Sequence, residues 1–394
     1  MTSDFEAPVS GRGMSGVSGL LLVDKPRGVT SHDVVAAVRS VLRMRRVGHA
    51  GTLDPMATGL LLVGFGHATR LLRAAMGSDK TYEATVRLGV STTTDDADGD
   101  VLRLVHAATP EACNDDPTTR VLARRDIEAV VRDHLLGHIS QVPSRFSAIR
   151  VGGRHAYERA RAGEDFALEA REVDIRSFEV AEPRSATVAV AGSPTPVVDV
   201  DVRVSCSSGT YVRSLARDLG DLLGVGGHLV ALRRVRVGGF RVSEPRVVHA
   251  SAASRTIRRR DGVTCDVSVA RMETDADGLI RRALPLASAA ARMMPVLPVD
   301  AAQARDLRFG RAIRPSYAVD GPVAAICGAG ADIDAGGSPS EGATGDGRPV
   351  GDDLVALVEP TDDAVKPTVV FPAAEMGRGG RVPASRTADE GEGR

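Results

Sequence analysis

Residues 48 to 59, Gly48-His49-Ala50-Gly51-Thr52-Leu53-Asp54-Pro55-Met56-Ala57-Thr58-Gly59, set one acidic side chain between glycines and directly before a proline. A proline pushes the preceding residue out of the helical region toward extended geometry. Glycines permit sharp turns and the close approach of another molecule. The pattern predicts a rigid loop that aims the Asp54 carboxylate in a fixed direction, and loop residues held on a rigid scaffold often carry function. No second carboxylate lies nearby in sequence, so a paired-acid hydrolase is not indicated. The glycine-rich stretches lack the Lys-Ser/Thr ending of a phosphate-binding loop, no GxGxxG follows a strand, and there is no GxSxG elbow. His49 has no second histidine at helical spacing, which makes a weak case for a metal site. What remains is a single carboxylate, ionised at neutral pH without help, acting as nucleophile or base. Away from water it needs a partner, because a lone buried charge costs several kcal/mol. Arg213, in Gly209-Thr210-Tyr211-Val212-Arg213, is a candidate.

A chain of 394 residues, 43% apolar and 26% charged, is long enough for a sizeable core and two domains. No apolar run approaches the roughly 18 to 20 residues of a membrane helix. The first residues, MTSDFEAPVSGRGMSG, contain acidic side chains and no apolar stretch, so they read as a flexible tail rather than a signal peptide. Cys113, Cys206, Cys265 and Cys327 are far apart, form no CxxC pair and suit a reducing cytoplasm. The net charge of -1 does not itself suggest a nucleic-acid partner, but it is unevenly spread. Residues 301–394 hold 10 Lys+Arg against 15 Asp+Glu, a balance of -5, which leaves 40 against 36, or +4, for the remainder. Basic clusters occur at Arg43-Met44-Arg45-Arg46, Arg124-Arg125, Arg233-Arg234 with Arg236, and Arg258-Arg259-Arg260. Singly each reads as solvated surface; near glycine-rich motifs they favour an RNA or DNA groove.

These residues need elements to hold them. The apolar run Leu20 to Val23 predicts a strand, and Ser31 an N-cap for a helix from about His32 to Leu42. Leu60 to Val63 reads as a buried strand and Thr69 to Ala75 as a short helix. Lys80 to Gly89 alternates as a half-buried strand does. Residues 91–118 read as a polar, acidic loop with little structure of its own, and Asp126 as the cap of a helix to about Leu136. Pro143 to Gly163 holds a loop and a helix start. Strands follow at 171–180 and 197–205, then a turn at Ser207-Ser208-Gly209, a helix from Tyr211 to Leu223 and a strand from Val230 to Phe240. Residues 251–282 look inserted. Pro298 to Phe371 reads as a separate unit, with a helix near 300–312 and strands at 322–327, 354–359 and 367–371, interrupted by a Gly/Ser/Asp tract over 328–351. Without regular βαβ spacing, the mixture argues for an α+β fold.

The chain resembles the bacterial tRNA pseudouridine-55 synthases of the TruB family. Gly19-Leu20-Leu21-Leu22-Val23-Asp24-Lys25-Pro26-Arg27-Gly28-Val29-Thr30-Ser31 resembles the family's opening motif, the Gly48–Gly59 stretch its catalytic loop, and Lys80-Thr81-Tyr82 its third signature. Val142-Pro143-Ser144-Arg145-Phe146-Ser147-Ala148 resembles the segment before its RNA-clasping thumb, and Ser207 to Arg213 and Leu232-Arg233-Arg234 the last two motifs. Taken singly, Asp54 is a turn residue, Tyr82 core and Arg213 surface; the motifs are specific as an ordered set spanning about 19–240.

The resemblance implies a mixed, largely antiparallel sheet with flanking helices, the pseudouridine synthase catalytic fold, plus a small C-terminal PUA-like β-rich domain. The corresponding boundaries are a tail over 1–13, a catalytic domain over 14–250, an insertion and connector over 251–295, the PUA-like domain over 296–373 and a disordered tail over 374–394. Asp54 would be the catalytic aspartate, paired to Arg213. His49 would displace or replace the target base in the RNA stack, and Tyr82 would stack on the flipped uracil. Tyr211, Arg213 and Leu232 would line the pocket, with Lys25 and Pro26 supporting the cleft wall. The implied substrate is the T-arm of tRNA, the implied cofactor none, and the implied protein a cytoplasmic monomer without membrane or protein partners. Asp54 could attack the sugar or the base, or abstract a sugar proton to give a glycal. Alternative readings are a synthase acting on another uridine and a tRNA-folding chaperone. The acidic C-terminal unit would read the shape of the acceptor end or serve as support.

Overall fold

In a computed structural model of the chain, the described residues are 16–112, 116–147, 149–258, 262–328 and 352–373. The tail expected over 1–13, the tract from 329 to 351 and the tail after 373 lie outside them, as do Cys113, Ala148, Arg259 and Arg260. The chain divides after Met293 into two compact units. No described helix is long and apolar enough to cross a membrane.

The first unit is built on a 12-stranded sheet. Its main strands are β1 (Gly19–Lys25), β2 (Val47–Ala50), β3 (Thr58–Phe65), β4 (Lys80–Leu88), β5 (Gly137–Gln141), β6 (Arg171–Val180), β7 (Arg184–Val190), β8 (Ser193–Cys206), β9 (Gly227–Val237), β10 (Val248–Arg258) and β11 (Thr264–Met272). They run in the order β11-β10-β1-β3-β9-β4-β8-β6-β5, with β2 also on β3 and β7 on β8. Only the β1–β10 and β3–β9 joints of this path are parallel. The fold is therefore α+β with a largely antiparallel sheet. Sequence pattern explains the layers. Leu20 to Val23 and Leu60 to Val63 are wholly buried, as continuous apolar runs are when a sheet is covered on both faces. In β4, buried Tyr82, Ala84, Val86 and Leu88 alternate with the partly or fully exposed Glu83, Thr85 and Arg87; β8 alternates Val198, Val200, Val202 and Val204 with Asp199, Asp201 and Arg203. The apolar sides of both strands join one core.

Helices α1 (Ser31–Leu42), α2 (Arg124–Val130), α3 (Val212–Leu222) and α4 (Ala276–Arg282) flank the sheet. Several expectations are corrected here. The cap of α1 is Thr30, which forms a capping box with Asp33; Ser31 is the first helical residue. Asp126 sits inside the first turn of α2, where its carboxylate accepts the Ala123 N–H at 3.3 Å, and the helix widens into a π-turn over Val131–Leu135. The 91–118 stretch carries short strands at Val90–Thr92, Val101–Leu104 and Ala107–Ala108 and buries Asp95 and Asp96. The segment read as inserted, 251–282, is itself ordered: within it β10 pairs with β11, and Leu279 of α4 is fully buried.

The second unit has a four-stranded sheet, β12 (Val296–Pro298), β13 (Val323–Cys327), β14 (Asp353–Pro360) and β15 (Val365–Val370), in that order. Helix α5 (Ala301–Arg308) lies against it, capped by Asp300. Leu297, Leu307, Val323, Val355 and Val358 form its own core.

Candidate active site

The Asp54 loop joins β2 to β3, and its backbone is tied down on several sides. Ser31 Oγ accepts the Leu53 N–H at 2.8 Å and donates to the Leu53 carbonyl at 3.1 Å. Gly28 N–H donates to Pro55 O at 2.8 Å, and Ala57 N–H to Asp54 O at 3.1 Å. Lys25 Nζ reaches Val29 O at 2.7 Å, Pro26 O at 2.9 Å and Pro55 O at 3.4 Å. Arg234 Nη2 donates to Gly51 O at 2.9 Å, where the chain turns through a left-handed φ of 79° that glycine tolerates. The expected rigidity thus has identified causes. Burial pushes the Lys25 ammonium down to about 8, against the pull of the Asp54 carboxylate.

Arg213 is the hub. It enters at the start of α3, and its Nε meets Asp54 Oδ2 at 2.9 Å. Nη1 donates to Thr94 O at 2.8 Å and approaches Asp96 Oδ2 and Ser144 Oγ at 3.4 Å each; Nη2 donates to Phe146 O at 2.8 Å. The Arg213 side chain is 4% exposed and that of Asp54 37%, so the pair is buried on the arginine side and open on the carboxylate side. Tyr211, the N-cap residue of α3, is fixed through its backbone. Its N–H donates to Gln141 Oε1 at 2.8 Å, and Gln141 Nε2 donates to its carbonyl at 3.1 Å. One turn along, Arg217 Nη2 holds Val142 O at 2.8 Å and Nη1 holds Asp95 Oδ2 at 3.4 Å. Burial raises the Asp95 carboxyl above its ordinary range, with Arg217 opposing.

Above the sheet these groups enclose a pocket of about 310 Å³. β4 and β9 supply Lys80, Tyr82, Leu232 and Arg234, the loops Gly51 to Asp54 and Gly209 to Tyr211, and the start of α3 Val212 and Arg213. Cross-strand register sets Arg234 opposite Tyr82 and Leu232 opposite Ala84. Burial raises the phenol pKa of both Tyr82 and Tyr211. The structure therefore brings together Asp54, Tyr82, Tyr211, Arg213 and Leu232, and sets Lys25 and Pro26 beneath the loop. His49 is not among the pocket-lining residues. It lies on β2 with its ring edge-on to His32, 5.6 Å between centroids. Its Nδ1 is buried with no hydrogen-bond partner among the described residues, and burial pushes the imidazole down to about 4. Sequence reasoning missed Asp96, Gln141, Ser144 and the roles of Lys80 and Arg234. The last two were within reach: each stands two residues from a proposed pocket residue, and strand side chains repeat every second position.

The arrangement is a carboxylate fixed by a guanidinium beside a pocket lined by two tyrosines. Residues 39–212 match the TruB family pseudouridylate synthase N-terminal domain, and residues 213–258 the tRNA pseudouridylate synthase B C-terminal domain. The tRNA pseudouridine synthase B of Bifidobacterium longum (strain NCC 2705) is 40% identical, covering 91% of this chain and 98% of the relative. The chain belongs to the TruB family. The tRNA pseudouridine synthase B of Thermobifida fusca (strain YX) is 45% identical over 78% of this chain and 93% of its own length. A solved chain from a Cbf5-Nop10-Gar1 complex aligns with a TM-score of 0.56 at 22% identity, covering 91% of this TruB-family chain and 86% of that one, so the two share a fold.

Proposed function

We propose that this chain is a tRNA pseudouridine synthase that isomerises uridine-55 of the T-loop, with Asp54 as its catalytic carboxylate. The observation that carries the reading is the 2.9 Å pairing of Asp54 with a buried Arg213 beside a pocket walled by Tyr82. Uridine in a folded T-loop must leave its stack before its glycosidic bond can be reached. Extrusion costs a few kcal/mol, and stacking on an aromatic face returns about 1–3 kcal/mol per base. Tyr82 is the stacking face, and Tyr211 and Leu232 shape the pocket around the base. His49, neutral at physiological pH, enters the vacated place in the RNA stack as an uncharged ring. The reaction breaks C1′–N1 and rejoins the base through C5. It is an isomerisation, so no redox or group-transfer cofactor takes part. Arg213 holds the Asp54 carboxylate aimed, through Nε at 2.9 Å, whether it acts as nucleophile or base. Residues 296–373 would form the PUA-like domain, and the protein would work in the cytoplasm as a monomer.

The test is to incubate the purified protein with unmodified tRNA and map pseudouridine by position. Product is expected at position 55 and nowhere with Asp54→Asn, while tRNA affinity is kept. Product elsewhere in the tRNA would refute the positional assignment, and product formed by Asp54→Asn the catalytic one.

A further inference from the structure

Among the described residues, the charged ones lining the Asp54 pocket are Asp54, Lys80, Arg213 and Arg234. Asp54 and Arg213 answer each other, and Arg213 also faces Asp96. Lys80 and Arg234 form no ion pair among the described residues. Lys80 Nζ donates to the carbonyls of Met76 at 3.0 Å and Ser78 at 2.6 Å. Arg234 uses Nε on Leu60 O at 2.8 Å and Nη2 on Gly51 O, and its guanidinium also neighbours the Tyr82 phenol, which is no counter-ion. Arg234 is 0% exposed and Lys80 7%. Burying an ion without a counter-ion costs several kcal/mol. Pinning carbonyls would explain the hydrogen bonds but not two unneutralised cations against a cavity. They fit an occupant that brings negative charge.

The isomerisation supplies one, so the inference rests on the reading above. When C1′–N1 breaks, its electron pair stays on the base, and uracil departs as an anion with charge spread over O2 and O4. This holds if Asp54 displaces the base from C1′ or takes a sugar proton to give a glycal. If Asp54 adds to the ring instead, the enolate oxygen bears the charge. C5 then bonds to C1′, breaking the Asp54–C1′ ester in the displacement route or taking back at C2′ the proton held by Asp54 in the glycal route; in the ring-addition route the Asp54–C6 bond breaks last. In each the C5 proton is lost and N1 takes up a proton, so atoms and charge balance. We propose that Lys80 and Arg234 form a cationic floor that stabilises the detached uracil as an anion while it turns to present C5. Charges fixed in place beforehand act on a developing anion without reorganisation.

The experiment measures single-turnover cleavage of C1′–N1 in T-arm RNA carrying uridine or 5-fluorouridine at the target. Fluorine at C5 makes the base anion more stable and less dependent on the floor. Lys80→Met should slow the uridine reaction about 100-fold, leave RNA affinity unchanged and lose several-fold less on 5-fluorouridine. Lys80→Arg should recover most of the rate. Arg234→Gln should behave as Lys80→Met; should it fail to fold, Lys80→Met, which keeps the stem, still tests the charge. Equal losses on both substrates, unchanged rates, or a loss expressed as weaker RNA binding would overturn the floor. An inactive wild-type protein would instead overturn the underlying reading.

Discussion

Arg213 and His49 are basic side chains beside the same loop, with opposite fates. Every nitrogen of the Arg213 guanidinium meets an oxygen, two of the three on carboxylates, so the buried group is compensated on all sides. His49 is desolvated by burial, with His32 and the Arg234 charge adding to the effect, and its pKa falls to about 4. The consequence for stability follows from linkage. In the unfolded chain this imidazole titrates near its ordinary value of 6.5. Between pH 6.5 and about 4 the unfolded state therefore binds more protons than the folded state, and stability falls as pH falls through that window. Urea denaturation at a series of pH values should show this loss in the wild type and a shallower dependence in His49→Gln. Identical slopes for the two proteins would mean that the ring is protonated in the fold.

At the scale of elements, α1 and the Asp54 loop share a junction at Thr30 and Ser31. Two adjacent hydroxyls could each have capped the helix. Thr30 does so because Asp33 stands three residues on and completes the capping box, with Asp33 N–H to Thr30 Oγ1 at 3.1 Å. That frees Ser31 Oγ to hold Leu53. Thr30→Ala should lower stability by about 1 kcal/mol and leave the isomerisation rate unchanged. Ser31→Ala strands a buried N–H of the loop, costing about 1–3 kcal/mol, and should slow the reaction as well. Denaturation midpoints and single-turnover rates measured together separate the two, and a rate loss in Thr30→Ala alone would reverse the assignment. The same junction marks how far the sequence is legible. Apolar runs and alternation reveal β1, β3, β4 and β8 because burial of a strand face is a local pattern. The loop at Thr94 to Asp96 looks structureless because what orders it comes from far along the chain: Arg213 lies 117 residues from Asp96 and Arg217 122 from Asp95. In residues 251–282 the Arg, Asp and Ser content hides the β10–β11 hairpin, which depends on strand pairing rather than hydropathy. The motif order along the chain singled out Asp54, Tyr82, Tyr211, Arg213 and Leu232, which line one pocket, but not the unpaired charges beneath them.

At the scale of the molecule, the two units have separate cores, and every residue of the site precedes Met293. Charge divides in the same sense: 301–394 carries -5 and the remainder +4. Phosphate contact makes binding fall linearly with the logarithm of salt concentration, with a slope of about 0.7 to 0.9 per phosphate neutralised. If the basic clusters of the first unit make those contacts, a chain ending at Met293 should keep the salt slope of the full protein. Its affinity for a T-arm RNA at low salt should be equal or higher, since an acidic segment has been removed. It should also unfold in a single cooperative transition, because its core and the whole 12-stranded sheet remain. Filter binding from about 50 to 200 mM salt on both chains reads this directly. A slope reduced by one or more phosphates in the shortened chain would place RNA contacts in the C-terminal unit despite its acidity. In that event the basic side chains of its helix and following turn, Arg305, Arg308, Arg311 and Arg314, would be the first to substitute.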